Sequence, residues 1–282
     1  MDNVTSLGSG VSVMTPAAGS NVSAIGHEAT LLFVDAGTVP SASRLFRSSV
    51  APDGAHSTIA VLTHHHADHV FGAAGLNPDR VLATEATDAL LGVRGDSERE
   101  HLTRAMPGAS DELAATAVPR ATEKISAPVD LDLGGRTVSL IPVGHAHTPG
   151  DLVVFDHSTK TLFTGDVAFN GLVPVLRDAD SLGWIRALHG LLRLEPDRVV
   201  PGHGPVGGAD ILNQMIDLLE TLRAVVRGRA QDAELDLELT ELPERFRGLA
   251  RAERLAPAAR HIASELATSH RDDTPIKGDM NG

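Results

Sequence analysis

The chain has 282 residues, of which 42% are hydrophobic, and carries a net charge of −13 with no cysteine and no tyrosine. That length can bury a sizeable core and suits one large domain, or one domain with an extension. The composition excludes disulfides and thiolate metal ligands, and the acidic balance argues against nucleic acid as the main partner, since phosphate backbones call for basic stripes.

No apolar run is long enough to span a bilayer, so no membrane association is expected. The start, Met1-Asp2-Asn3-Val4-Thr5, has neither a basic nor an apolar leader region, and cytoplasmic residence is expected. Residues 1–20 are rich in Ser, Gly and Ala and read as a loose lead-in or an edge strand. Asn21 to Ile25 alternates weakly. Ala29 to Val34 is a buried-type strand ending at the turn signal Asp35-Ala36-Gly37. Ser41 to Val50 predicts a helix with Leu45, Phe46 and Val50 on one face.

Thr58-Ile59-Ala60-Val61-Leu62 predicts a buried strand running into Thr63-His64-His65-His66-Ala67-Asp68-His69. Within that run, His64, His66 and His69 with Asp68 present three imidazoles and a carboxylate on one short turn. These are the groups a divalent transition metal takes from a protein without thiols. A histidine-rich run can also be compositional noise or a tag. This one is internal, has an aspartate in register and follows a buried strand. His65 is expected to point away, into packing or a hydrogen bond.

Val70 to Leu76 predicts a short helix closed by Asn77-Pro78, and Arg80 to Thr84 a strand. Residues 85–125 read as mixed helix and loop, broken at Gly92, Gly95 and Pro107-Gly108. Val129 to Leu133 and Thr137 to Val143 predict a hairpin across Gly134-Gly135. Leu152 to Phe155 and Thr161 to Thr164 predict a second. Asp180-Ser181 is expected to cap a helix with Leu182, Ile185, Leu188 and Leu192 on its buried face. Arg198 to Val200 is a short strand. Beyond it, Ile211, Met215, Leu218, Leu219, Leu222 and Val226 form a helical stripe, which reads as plain core packing, as does Trp184.

Three later motifs repeat one arrangement. His145-Ala146-His147-Thr148-Pro149-Gly150-Asp151, Thr164-Gly165-Asp166 and Pro201-Gly202-His203-Gly204-Pro205 each follow a short apolar strand and sit beside glycine. Alone, each is weak: a single histidine is usually a hydrogen-bonded core residue and a Gly-Asp usually a turn. Strand-end loops on one sheet edge can converge on one point, and glycine lets backbone crowd a metal. His27, His56, His101, His157, His189, His261 and His270 have no motif context.

On these residues the chain resembles the metallo-β-lactamase superfamily, from about Asn21 to Pro205, and within it the glyoxalase II-like hydrolases. The resemblance implies an α/β fold, a four-layer αβ/βα sandwich, with the metals at one edge of the two sheets. Together with the change to a helical pattern after residue 208 and the polar end from Ser269, it leads us to expect a catalytic domain over 1–208, a helical extension over 209–268 and a disordered tail over 269–282. It implies that His64, His66 and His147 hold one metal, that Asp68, His69 and His203 hold a second, and that Asp166 bridges both. Asp35 matches the family's supporting aspartate behind the ligands. His145 departs from the pattern. It is open whether it is an alternative ligand, a substrate contact, a proton carrier or a structural residue.

Two divalent cations balanced by Asp68, Asp166 and a bridging hydroxide leave a net positive centre, suited to an oxyanion developing beside it. Asp68 is the candidate catalytic group, orienting the attacking water. Zinc is the default metal; iron or manganese accept the same ligands. The expected reaction is hydrolysis of a small-molecule thioester, ester or lactone. The lack of tyrosine weakens the lactonase reading, since the best-known homoserine-lactone lactonases use one. Alternatives on the same fold are a mononuclear iron sulfur dioxygenase of the persulfide dioxygenase type, and a phosphodiesterase or sulfatase. A second copy of the chain is an open partner. Substrate choice is expected in 85–125, in Phe169 to Leu176 and beyond 209.

Overall fold

In the computed structural model, which describes residues 3–16, 19–51, 57–229 and 235–272, the chain opens with a hairpin of β1 (Asn3–Gly8) and β2 (Val11–Thr15). It continues through β3 (Val22–His27), β4 (Thr30–Val34), α1 (Pro40–Val50), β5 (Ser57–Val61), the short helices α2 (Ala67–Val70) and α3 (Ala73–Leu76), and β6 (Arg80–Thr84). Then come α4 (Glu85–Ala105), α5 (Ser110–Ala115) and β7 (Glu123–Ile125). These seven strands form one sheet in sequence order, antiparallel up to β4 and parallel from β4 to β7.

A second sheet takes β8 (Val129–Asp132), β9 (Thr137–Gly144), β10 (Asp151–Asp156), β11 (Thr161–Phe169) and, after α6 (Ser181–Leu192), β12 (Arg198–His203). Both expected hairpins are present, β8 with β9 and β10 with β11, whereas β12 pairs with β11 in parallel. The helices α7 (Asp210–Gly228) and α8 (Leu255–Asp272) close the chain. Helix α8 therefore runs past residue 269, and residues 273–282 of the expected tail lie outside the described residues, as does His56.

Three separate apolar clusters show the layering. Leu32 and Val34 of β4 face Leu152 and Val154 of β10 between the sheets. Leu31 and Phe33 point the other way, onto Phe46 of α1 and Leu91 of α4. Val153 and Phe155 pack outward with Trp184 of α6 and the stripe of α7. The result is a four-layer αβ/βα sandwich, whose strands are covered on both faces and so read as near-continuous apolar runs. Helices α7 and α8 share the outer cluster with α6. No helix among the described residues is long and apolar enough to cross a membrane.

Three local expectations are corrected. Val11 and Val13 are fully buried, so 11–15 is an inner strand, and of the two N-terminal strands β1 alone lies at a sheet edge. Leu45 is 73% exposed and Leu182 47%, so α1 turns Pro40, Ser43 and Phe46 inward, and α6 turns Trp184, Ile185, Leu188 and Leu191 inward. Gly92 and Gly95 do not break α4, which is continuous over 21 residues. A Cβ on Gly95 would come within 2.3 Å of Val118 Cγ1, so this glycine serves close packing.

Candidate metal centre

The strand ends carry the candidate ligands to one place. β5 stops at Val61, and Thr63 is fixed by Asp35: its N–H donates to Asp35 Oδ1 at 2.8 Å and its hydroxyl to Oδ2 at 2.9 Å. Asp35 itself adopts φ 60, an uncommon conformation for a non-glycine residue, at the end of β4. The loop after β9 is pinned by the carbonyl of Gly150, which accepts from the hydroxyls of Thr84 and Thr87 at the start of α4. Leu152 N donates to Thr63 O at 2.9 Å and so ties the two sheets together beside the site. The loop after β12 is held by Asn21, whose side chain donates to Pro201 O and Gly204 O.

Two groups of side chains converge. The ligand atoms of His64, His66, His147 and Asp166 lie within 4.8 Å of one another, and so do those of Asp68, His69 and His203. Asp166 faces both. Its Oδ2 is 3.8 Å from His64 Nε2 and 3.4 Å from His147 Nε2. Its Oδ1 is 3.0 Å from His69 Nε2 and 3.4 Å from His203 Nε2. Asp68 Oδ2 is 3.3 Å from His203 Nε2.

Four imidazoles have the nitrogen turned away from this point already engaged. His69 Nδ1 donates to Asp35 Oδ2 at 2.7 Å, and His203 Nδ1 to the carbonyl of Gly19 at 2.9 Å. His64 Nδ1 donates to Thr63 Oγ1 at 3.0 Å, since that hydroxyl gives its own proton to Asp35. His66 is turned the other way round: its Nε2 donates to Asp178 Oδ2 at 3.0 Å and its Nδ1 faces His147 Nε2. Fixing the outer nitrogen fixes the tautomer of the neutral ring, whose inner nitrogen then carries the lone pair. The ring of His147 packs against Trp184, centroids 5.2 Å apart.

His64 Nε2, His69 Nε2 and Asp166 Oδ1 are buried and have no hydrogen-bond partner, even though His69 and Asp166 approach to 3.0 Å. Inward-facing nitrogen and carboxylate donors left unsatisfied in this way fit a divalent cation. The electrostatics agree. Burial opposes charge on His69, but Asp166, Asp35 and Asp68 outweigh it and raise its pKa well above the usual value. His203 is likewise raised to about 9 against burial, chiefly by Asp166. Burial and neighbouring imidazoles push His64 down, and His147 is lowered chiefly by burial. The Asp166 carboxyl is held well below its usual range by His203 and His69, although burial works the other way.

The remaining expected site residues lie to one side. His145 is exposed and outside both groups; its Nε2 donates to the carbonyl of Asp178 at 2.8 Å. His65 is buried, with neither ring nitrogen hydrogen-bonded. Two residues that sequence reasoning did not single out have clear roles. Asn21 clamps the His203 loop, and Asp178 supports His66 while accepting from Arg94 at 2.7 Å and Arg177 at 3.2 Å. His65, His66 and Asp178 also form a compact group, but two guanidiniums already neutralise that carboxylate, which disfavours a further cation there.

Comparison with known proteins shows the family. The family model described as the metallo-beta-lactamase superfamily matches residues 15–203, a span containing every ligand candidate. The acyl-coenzyme A thioesterase MBLAC2 of Gallus gallus is 26% identical over 203 residues, covering 65% of this chain and 72% of that protein. Its counterpart in Bos taurus is 29% identical over 185 residues, covering 60% and 65%. Among solved structures, the metallo-beta-lactamase from Pontibacter korlensis superposes with a TM-score of 0.65 at 20% identity, over 78% of this chain and 99% of that one. The DIM-1 metallo-beta-lactamase gives a TM-score of 0.62 at 20% identity, over 78% and 97%. At that identity the likeness is one of fold.

Proposed function

The chain belongs to the metallo-beta-lactamase superfamily and is a metal-dependent hydrolase, and from that premise we propose that it cleaves a thioester, or a closely related small ester or lactone, at a pair of divalent cations. The observation that carries the two-cation reading is Asp166, which turns Oδ2 toward His64 and His147 and Oδ1 toward His69 and His203. In this reading His64, His66 and His147 hold one cation, Asp68, His69 and His203 the other, and Asp166 spans them, with zinc the metal best suited to such donors. Bound there, the cations would polarise a carbonyl oxygen and bring the pKa of water toward neutrality.

The chain's own residues supply orientation and access. The side chain of Asp68 is 34% exposed and that of His203 14%, whereas those of His64, His69 and His147 are at most 1% exposed. Substrate therefore reaches the centre from the Asp68–His203 side. At that opening, Asp68 accepts a hydrogen bond from the attacking water and aims it. A thiol leaving group departs as thiolate and needs no dedicated acid, so a thioester asks less of these residues than an amide would. The named activity of the two thioesterase relatives supports the same choice.

The test is a panel of thioesters, lactones, aryl esters, phosphodiesters and β-lactams on zinc-, iron- and manganese-loaded protein, with metal counted per chain. Thioester turnover with two zincs per chain, abolished by Asp166→Ala, is expected. A single iron per chain with oxygen-dependent activity would replace this reading by the dioxygenase one.

A further inference from the structure

Four consecutive residues, Asp178 to Ser181, stand between the candidate centre and helix α8, and their contacts alternate between the two. Asp178 faces the centre: Oδ2 accepts from His66 Nε2 at 3.0 Å and the carbonyl from His145 Nε2 at 2.8 Å. Ala179 faces α8, and its carbonyl accepts from His261 Nε2 at 2.9 Å. Asp180 turns back, its N–H donating at 2.9 Å to the carbonyl of Ala146, next to His147. Ser181 faces α8 again. Its N–H donates to Glu265 Oε1 at 2.8 Å, and its hydroxyl donates to Glu265 Oε2.

Glu265 is itself held firmly. Arg223 Nη1 of α7 donates to its Oε2 at 3.2 Å, and His261 Nε2 lies 3.2 Å from its Oε1. Burial opposes charge on this carboxyl, but His261 and Ser181 outweigh it and keep its pKa below the usual 4.5. Packing joins the same parts, since Ala179 shares the outer apolar cluster with Ala258, Ala259 and Ile262 of α8. Apolar contact is non-directional and sets only the separation; the hydrogen bonds set which way each residue of the segment turns.

The segment is also the start of α6. Asp180 Oδ1 accepts from Leu182 N and Gly183 N, and Glu265 takes the N–H of Ser181, another donor with no partner inside the helix. One turn on, Trp184 packs against the His147 ring. Glu265 therefore has two lines to the centre, one through Asp178 to His66 and one through the start of α6 to Trp184 and His147. Both lines end in the group of His64, His66 and His147, and neither passes through Asp68, His69 or His203. Resting on the two-cation reading, we infer that Glu265 is a positioning residue: from the helical extension it orients His66 and His147, and so tightens the cation held with His64 without acting on the one held by Asp68, His69 and His203.

Zinc affinity by chelator competition reads this without turnover, in two backgrounds that each leave one ligand group whole. Asp68→Ala keeps His64, His66 and His147; His66→Ala keeps Asp68, His69 and His203. Adding Glu265→Ala to Asp68→Ala is expected to weaken zinc by about 3- to 10-fold, less than the roughly 10- to 100-fold caused by losing a residue that touches a ligand directly. Glu265→Gln, which still accepts from the Ser181 N–H, should recover part of that loss. In the His66→Ala background neither change should alter the affinity. Urea unfolding checks that each protein is folded. If Glu265→Ala is not, Ser181→Ala, which deletes the hydroxyl donated to Glu265, carries the same test with a loss of about 2- to 3-fold. Equal losses in both backgrounds, or none in the Asp68→Ala background, would overturn the inference. A folded His66→Ala protein that binds no zinc would instead remove the two-cation reading, and the Asp68→Ala comparison would still decide the role of Glu265.

Discussion

Four of the five imidazoles at the candidate centre, all but His147, are aimed by the partner of their other nitrogen, and those partners differ in how visible they are. Asp35 sits at a strand end beside a turn signal, and the candidate ligands are titratable residue types crowded at strand ends, so both were legible in the chain. Asp178 was not: it lies in a loop with no motif, and its importance comes from Arg94 and His66, 84 and 112 residues away in sequence. Asp178→Ala should free His66 to change tautomer, weakening metal binding about 10- to 100-fold with the fold retained; chelator competition measures it, and an unaltered affinity would remove the supporting role. A second expectation concerns protons. Without metal, His203 titrates at about 9 and His69 well above its usual value, so both are charged at neutral pH. A cation must displace those protons, so loading at pH 7.5 should show an enthalpy that depends on the buffer's ionisation heat. The stability contributed by His203 as a cation is complete below its usual value of 6.5 and lost as pH rises through about 9. A metal-loaded form in which His203 is a ligand, as proposed, would hold it neutral and have no such loss. The melting-temperature gap between loaded and metal-free protein should therefore widen from pH 6.5 to 9.5; a constant gap would contradict the assignment.

At the scale of elements, strands β4 to β6, β8 to β12 and both hairpins could be read from apolar runs, alternation and turn residues, whereas β7 lay inside the 85–125 segment read as helix and loop, and helix faces and continuity were less legible. A stripe fixes a helix face only where enough apolar residues define it: α7, with six, was read correctly, but α1 and α6 offered competing leucines, and Leu45 and Leu182 went to solvent. In α4 the glycines suggested breaks because the partner segment, Thr116 to Ala121, is invisible from the helix's own sequence. The structure gives the two glycines opposite consequences. Ala at either position gains roughly 1 kcal/mol of helix propensity. At Gly95 the new Cβ meets the short, branched side chain of Val118 at 2.3 Å, and overpacking of about 1–3 kcal/mol should outweigh that gain. At Gly92 the nearest atoms belong to the half-exposed Arg120 guanidinium, 3.3 Å away and able to shift. Gly95→Ala should thus destabilise and Gly92→Ala stabilise in urea unfolding, and equal signs would refute the packing argument.

For the whole molecule, the site at one end depends on a sandwich closed at the other. The N-terminal residues looked loose because serine, glycine and alanine carry little periodic signal, and a strand with polar residues shows its role only beside its partner. Their turn is in fact part of a lock. Arg136, next to the Gly134-Gly135 turn, binds Asp156 through Nε at 3.0 Å and Nη2 at 2.5 Å, and its Nη1 donates to Ser9 O, joining the two sheets. Both side chains are at most 5% exposed. Strand β9 starts beside this pair and ends at Gly144, just before His145, so its eight residues place the lock about 25 Å from the metal end. Removing one partner leaves the other charge buried alone, which costs about 3–5 kcal/mol. Arg136→Met should lower stability by that amount while leaving metal content and turnover per folded molecule unchanged. Adding Asp156→Leu should recover most of the loss, because an apolar pair of similar volume has no charge to desolvate. Burial opposes ionisation of Asp156, yet Arg136 and Thr159 hold its pKa below the usual 3.8, so the wild-type pair contributes above that value and fades as pH falls below it. Urea unfolding of the wild type, Arg136→Met and the double variant at pH 7 decides the matter: if the double variant is no more stable than Arg136→Met, the pair's contribution is not the electrostatic one argued here.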